Sequence, residues 1–150
     1  MANSDINVDV TQRVMKPVND VFQAIVDPDK LSKYFVSSAT APLAAGQPVT
    51  WRFADVGGEL VPEIEVVERD RRIVFTWEAS GQKARVQIEL LPYDEGSTKI
   101  HIVESAFPMT EEGVQRALEQ AKGWTDFIAC MRAYLEFGVR LRQGRTKDLH

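Results

Sequence analysis

The stretch from Thr110 to Leu141 constrains the fold most. Trp124, Ile128, Met131 and Leu135 recur at spacings of four, three and four, one face of a 3.6-residue period. Phe127, Cys130, Tyr134 and Phe137 run beside them. Together they form an apolar band wider than an ordinary surface helix carries. A helix of this kind must lie against a large apolar partner. Gly123 stands next to Trp124 inside it. Glycine costs roughly 1 kcal/mol relative to alanine in a helix. It therefore signals either a close backbone approach or a break between two helical pieces.

The rest of the chain reads as the sheet that this helix covers. Ile6, Val8, Val10 and Val14 alternate with Asn7, Asp9, Thr11 and Arg13, a half-buried strand in which Gln12 points a polar group inward. Asn19 is suited to cap a short helix carrying Val21, Phe22, Ile25 and Val26. Asp27-Pro28 opens a second one, with Asp27 as cap and Pro28 at the first helical position, where its missing N–H costs nothing. Leu31, Tyr34 and Phe35 are its apolar residues. After a Ser/Ala/Thr/Pro-rich stretch, alternation returns at Val49–Phe53, Leu60–Val66, Ile73–Ala79, Val86–Leu90 and Ile100–Glu104. Turns at Asp55–Gly58, Asp70–Arg72, Ser80-Gly81 and Asp94–Ser97 separate these runs. Pro62 marks an edge or bulged strand. Short turns between strands imply an antiparallel meander, and strands followed by one long helix imply an α+β class. The economical solution is a curved sheet of about six to seven strands wrapped round the helix.

At 150 residues the chain is expected to form one domain, with no internal repeat or linker. Its net charge of −4 argues against a nucleic-acid partner. One cysteine allows no intrachain disulfide, which fits a reducing compartment. Met1–Asp5 carries neither the basic nor the apolar region of a signal peptide, and no run approaches the ~18 apolar residues of a membrane span. A cytoplasmic protein is expected. Cys130 with two histidines, His101 and His150, cannot build an ordinary Cys/His zinc site. Phosphate-binding glycine loops and nucleophile elbows are absent, and Gly57-Gly58 is a hairpin turn. No cofactor is implied. Cys130 reads as a buried structural thiol, His101 as an exposed or edge residue. The basic tail, with Arg140, Arg142, Arg145 and Lys147, is read as charge favourable at a helix C-terminus.

The order of these segments resembles the START-like, or SRPBCC, helix-grip fold. More narrowly it resembles the family named for the C-terminal domain of the heat-shock-protein-90 ATPase activator. The matching residues are Pro17–Pro28 with Leu31 and Tyr34-Phe35, then Arg72–Trp77, Glu104 before Ser105–Phe107, and Gly123-Trp124 with Leu135-Glu136. Tyr34 stands where that family commonly has tryptophan. The resemblance implies an elongated cavity between helix and sheet. Trp51, Phe53, Phe75, Trp77, Ile102, Trp124, Ile128 and Met131 can furnish its lining; the alternative is that they simply fill a core. Glu104 shares parity with Ile100 and Ile102 and is expected to face inward, as a ligand-facing carboxylate. The alternatives are a strand that ends or bulges there, or partners that satisfy it.

Three functional readings follow from the resemblance. The leading one is a non-enzymatic module that binds a small hydrophobic ligand in the cavity. A second is an interaction module that binds heat-shock protein 90 and stimulates its ATPase. The third is a cyclase- or hydrolase-like enzyme using Glu104 or Tyr34 as general acid or base. Oligomeric state, monomer or homodimer, stays open.

Overall fold

A computed structural model describes residues 5–54 and 56–144. The chain order is β1 (Ile6–Val14), α1 (Val18–Val26), α2 (Pro28–Leu31), β2 (Ser38–Ala39), β3 (Trp51–Phe53), β4 (Gly58–Leu60), β5 (Glu63–Glu68), β6 (Arg72–Trp77), β7 (Ala84–Asp94), β8 (Ser97–Phe107) and α3 (Glu111–Phe137). The main sheet is antiparallel in the order β1-β8-β7-β6-β5, so the first strand closes beside the last. A second, small sheet runs β2-β3-β4. This is the α+β helix-grip architecture of the START-like fold. The strands are more numerous than the expected six to seven and form two sheets. Pro62 supplies the reason. It lies between β4 and β5, cannot donate to a ladder, and marks where the chain leaves one sheet for the other.

Alternation sets the buried face. Ile100, Ile102 and Glu104 of β8 face inward with Val86, Ile88 and Leu90 of β7 and Ile73, Phe75 and Trp77 of β6. Helix α3 packs chiefly on β1, with further contact to β8. It buries Trp124, Phe127, Ile128, Cys130 and Met131. The second apolar line stops short of its expected length, for Phe137 is 74% exposed. At Glu136, which accepts the Met15 N–H, the helix has reached the end of β1, and Phe137 projects past it.

Local signals explain the helix ends. Thr110 caps α3 by accepting the Gly113 N–H at 3.0 Å, and Gly138 closes it with φ 69°. Asp27 caps α2 by accepting the Asp29 N–H, with Pro28 at the first helical position. Asn19 does not cap α1. The N-cap position is Pro17, and Asn19 sits inside the helix, where its side-chain amide donates to Asp70. Gly123 neither breaks α3, which runs unbroken through it, nor permits a close approach. A Cβ built there meets nothing within 4 Å. Among the described residues no helix is long and apolar enough to cross a membrane. No group of three or more His, Cys, Asp or Glu among them is placed to hold a metal.

The Glu136 carboxylate ties α3 to the end of β1. It accepts from Arg132 at 2.8 Å and from the Met15 backbone N–H at 3.0 Å. The Arg132 hydrogen bond, then the Met15 N–H and the Arg132 charge, hold its pKa below the ordinary carboxylate value against the opposing effect of burial. A carboxyl depressed in the native state stabilises the fold above its unfolded pKa. That contribution is lost as pH falls through the native pKa. Glu136→Gln is therefore expected to lower stability by about 1 kcal/mol at neutral pH. The gap to wild type should narrow and close in acid, as read from urea unfolding across a pH series. A gap independent of pH would assign the effect to packing.

Candidate functional site

The loop after α2, strand β3, strand β6 and helix α3 each contribute large rings to one place. Phe35 meets Trp51, Phe53 and Phe127 edge-on, with centroids 5.7, 5.2 and 4.8 Å away. Trp77, the last residue of β6, stands 5.3 Å from Trp124 of α3. Edge-to-face and offset geometries of this kind let ring edges meet ring faces. Beside the cluster lies a cleft of about 320 Å³. Phe35, Phe53, Trp77 and Trp124 wall it, and Val56, Leu60 and Ala79 extend the apolar surface. Gln120, Asp126 and Arg142 supply its polar groups. Gly123 also lines it, and the missing side chain is part of the open space.

Behind the wall sits Glu104, fully buried on β8. Its Oε2 accepts the Trp77 indole N–H at 2.8 Å, and its Oε1 accepts the Trp124 indole N–H at 2.9 Å. The Gln120 amide donates to both oxygens, at 3.0 and 3.3 Å. An indole N–H can only donate, so both carboxylate oxygens are committed as acceptors. The carboxylate thus pins two indoles from different elements side by side. These donors satisfy a group whose burial is otherwise costly.

The nine residues named from sequence divide into two shells. Phe53, Trp77 and Trp124 face the cleft directly. Trp51, Phe75, Ile102, Glu104, Ile128 and Met131 are buried but not on its surface. Trp51 packs on Phe75 and Trp77, and its indole nitrogen is the one buried side-chain N or O atom among the described residues without a hydrogen-bond partner. Tyr34 is buried too. Its hydroxyl donates to the Ala24 carbonyl at 2.9 Å, and burial pushes its pKa well above the usual value. The sequence reading missed Phe35, Gln120 and Arg142 as cleft residues. Gln120 carried a usable signal: it lies one helical turn before Trp124, a polar side chain on an apolar face.

Comparison with known proteins fixes the family. The sequence profile of the Activator of Hsp90 ATPase homolog 1-like proteins matches residues 16–136. The chain belongs to this family. A solved Staphylococcus saprophyticus protein of this fold is 30% identical, with a TM-score of 0.80 over 90% of this chain and 95% of its own. DynU16, from the dynemicin biosynthetic locus, is 27% identical with a TM-score of 0.80; the match covers 91% of this chain and 49% of DynU16. An HSP90 activator from Plasmodium falciparum shares the fold at 22% identity, with a TM-score of 0.68 over 89% of this chain and 96% of its own. No curated protein matches the chain. The START-like placement read from Pro17–Pro28, Arg72–Trp77 and Gly123-Trp124 thus stands, and it extends across nearly the whole matched span.

Proposed function

We propose that this family member is a cytoplasmic, non-enzymatic carrier or sensor of a small hydrophobic molecule held in the cleft between α3 and the two sheets. The observation that carries the reading is Gly123. A glycine in mid-helix costs roughly 1 kcal/mol relative to alanine. Here no backbone contact accounts for it, and its position opens the cleft beside Trp124. Space kept at a cost to stability, walled by rings, suits a ligand with a flat apolar body. Glu104 supports this reading in a positioning role, because its oxygens serve the wall rather than the cleft. The same engagement weighs against Glu104 as a general acid or base. The buried, hydrogen-bonded Tyr34 hydroxyl is equally ill placed for proton transfer.

Thermal-shift screening with fatty acids, sterols, flavonoids and aromatic metabolites tests the proposal. Gly123→Ala is expected to raise stability by about 0.5–1 kcal/mol. Gly123→Leu, which projects further into the cleft, should fold while abolishing the shift given by any hit. A hit whose effect survives Gly123→Leu, or a library without hits, would remove the cleft from the function.

A second reading, stimulation of an Hsp90 ATPase, draws on the family membership and on one surface feature. Met109, just before α3, and Val114 and Leu118 in its first half expose apolar side chains, at 63, 38 and 62%. Addition of the protein to the host's Hsp90 should then raise its ATPase rate, and Leu118→Glu should weaken the effect. An unchanged rate at saturating protein would dismiss this reading.

A further inference from the structure

A second recess, of about 310 Å³, adjoins the cleft. It lies between the loop after α2 and the stretch that follows α3. Phe35 and Arg142 line both spaces, so the two meet along those residues. Their linings differ in kind. The cleft is walled by rings; the recess also has an apolar floor of Tyr34, Phe35 and Val36, but adds Lys33, Arg140 and Arg142. No Asp or Glu among the described residues lines it. Among the described residues, the carboxylate that lines the cleft is Asp126, 3.9 Å from Arg142. Lys33 and Arg140 then remain as cations with no carboxylate partner among the described residues. The protein as a whole carries a net charge of −4 and repels anions at long range. An excess of positive charge at this one rim is therefore a local feature, effective within about one Debye length.

We propose that cleft and recess are two halves of one site, whose ligand is an amphipathic organic anion: a flat aromatic body against Trp77 and Trp124, and a carboxylate at Lys33 and Arg140. The assignment rests on the cleft reading above and adds to it the charge and orientation of the ligand. Phe35, common to both halves, lies under the point where ring and carboxylate join. Arg140 and Arg142 belong to the stretch after Gly138, so the segment that leaves the helix supplies the polar end of the site.

Calorimetric titration with three probes of one shape separates the possibilities: 2-naphthylacetate, 2-naphthaleneethanol and 2-naphthylethylammonium. At low salt the anion should bind about tenfold or more tighter than the neutral alcohol, a difference of about 1.4 kcal/mol. The cation should bind weakest. The advantage should shrink as salt is raised. In the double variant K33Q/R140Q the anion should fall to the affinity of the alcohol, with the melting temperature retained. Equal affinities of anion and alcohol for the wild-type protein, or tightest binding of the cation, would overturn the anionic assignment and leave the cleft reading intact. Full anion preference in the double variant would overturn the placing of the carboxylate. Failure of all three probes to bind would count against the cleft and this inference together.

Discussion

Glu104→Leu is expected to destabilise the protein by about 2–6 kcal/mol. Leucine is apolar, ends one atom short of the glutamate carboxylate oxygens and accepts nothing. Two buried indole N–H groups, on Trp77 and Trp124, would lose their acceptor, at about 1–3 kcal/mol each. Gln120 is only half-buried, so water can serve its amide, and it adds little. Glu104→Gln should cost less, about 1–3 kcal/mol, because one oxygen remains while the new NH₂ must face a donor. Urea unfolding gives the totals, and a double-mutant cycle gives the cause. In a Trp77→Phe background, which has one indole N–H fewer to orphan, Glu104→Leu should cost measurably less than in wild type. Near-ultraviolet circular dichroism should change with Glu104→Leu, since the Trp77 and Trp124 rings 5.3 Å apart would lose their fixed relation. A cost below about 1 kcal/mol, the ordinary net worth of a single hydrogen bond, would show that the carboxylate does not hold the indoles. The ligand consequence follows directly. The wall of the cleft is only as well defined as the bond that fixes its two indoles.

Periodicity carried most of the fold. It placed α3 within a few residues, set the inward parity of β8, and so turned Glu104 inward before any geometry was known. Side-chain chemistry then left the partners open, because an inward carboxylate can be served by arginine, backbone or indole alike. The site itself was half legible. Trp51 and Trp77 are the same residue type on similarly alternating strands, yet Trp77 reaches the cleft and Trp51 is enclosed by Phe35, Phe75 and Trp77. That difference depends on how the small sheet sits against the large one, which alternation does not encode. Arg142 read as charge at a helix end; it lines the cleft because the chain turns back after Gly138. Gly123 was ambiguous for a deeper reason. Sequence cannot separate a glycine that admits a backbone from one that leaves a space.

Gly113→Ala tests that distinction from the other side. Gly113 is the third residue of α3, and its N–H is the one that Thr110 caps. A Cβ added there would lie 1.9 Å from the Pro108 carbonyl oxygen, 2.9 Å from its carbon and 3.0 Å from the proline Cγ. The obstacle is backbone, so no side chain can swing aside. The Pro108 oxygen also accepts the Thr110 N–H at 2.8 Å, so moving it would disturb the turn that presents the cap. Overpacking against fixed structure costs about 1–3 kcal/mol, and loss of the cap adds about 1 kcal/mol. The gain in helix propensity, roughly 1 kcal/mol, offsets only part of this. A net loss of about 1–3 kcal/mol is expected, about 2–4 °C in melting temperature for each kcal/mol in a chain of this size. The same substitution ten residues on, Gly123→Ala, meets open space and should raise stability. Opposite signs for one chemical change within one helix would establish that Gly113 is held by contact and Gly123 by the need for room. Two stabilising alanines would show that α3 can shift away from Pro108. Two destabilising ones would mean that the space beside Trp124 is not free.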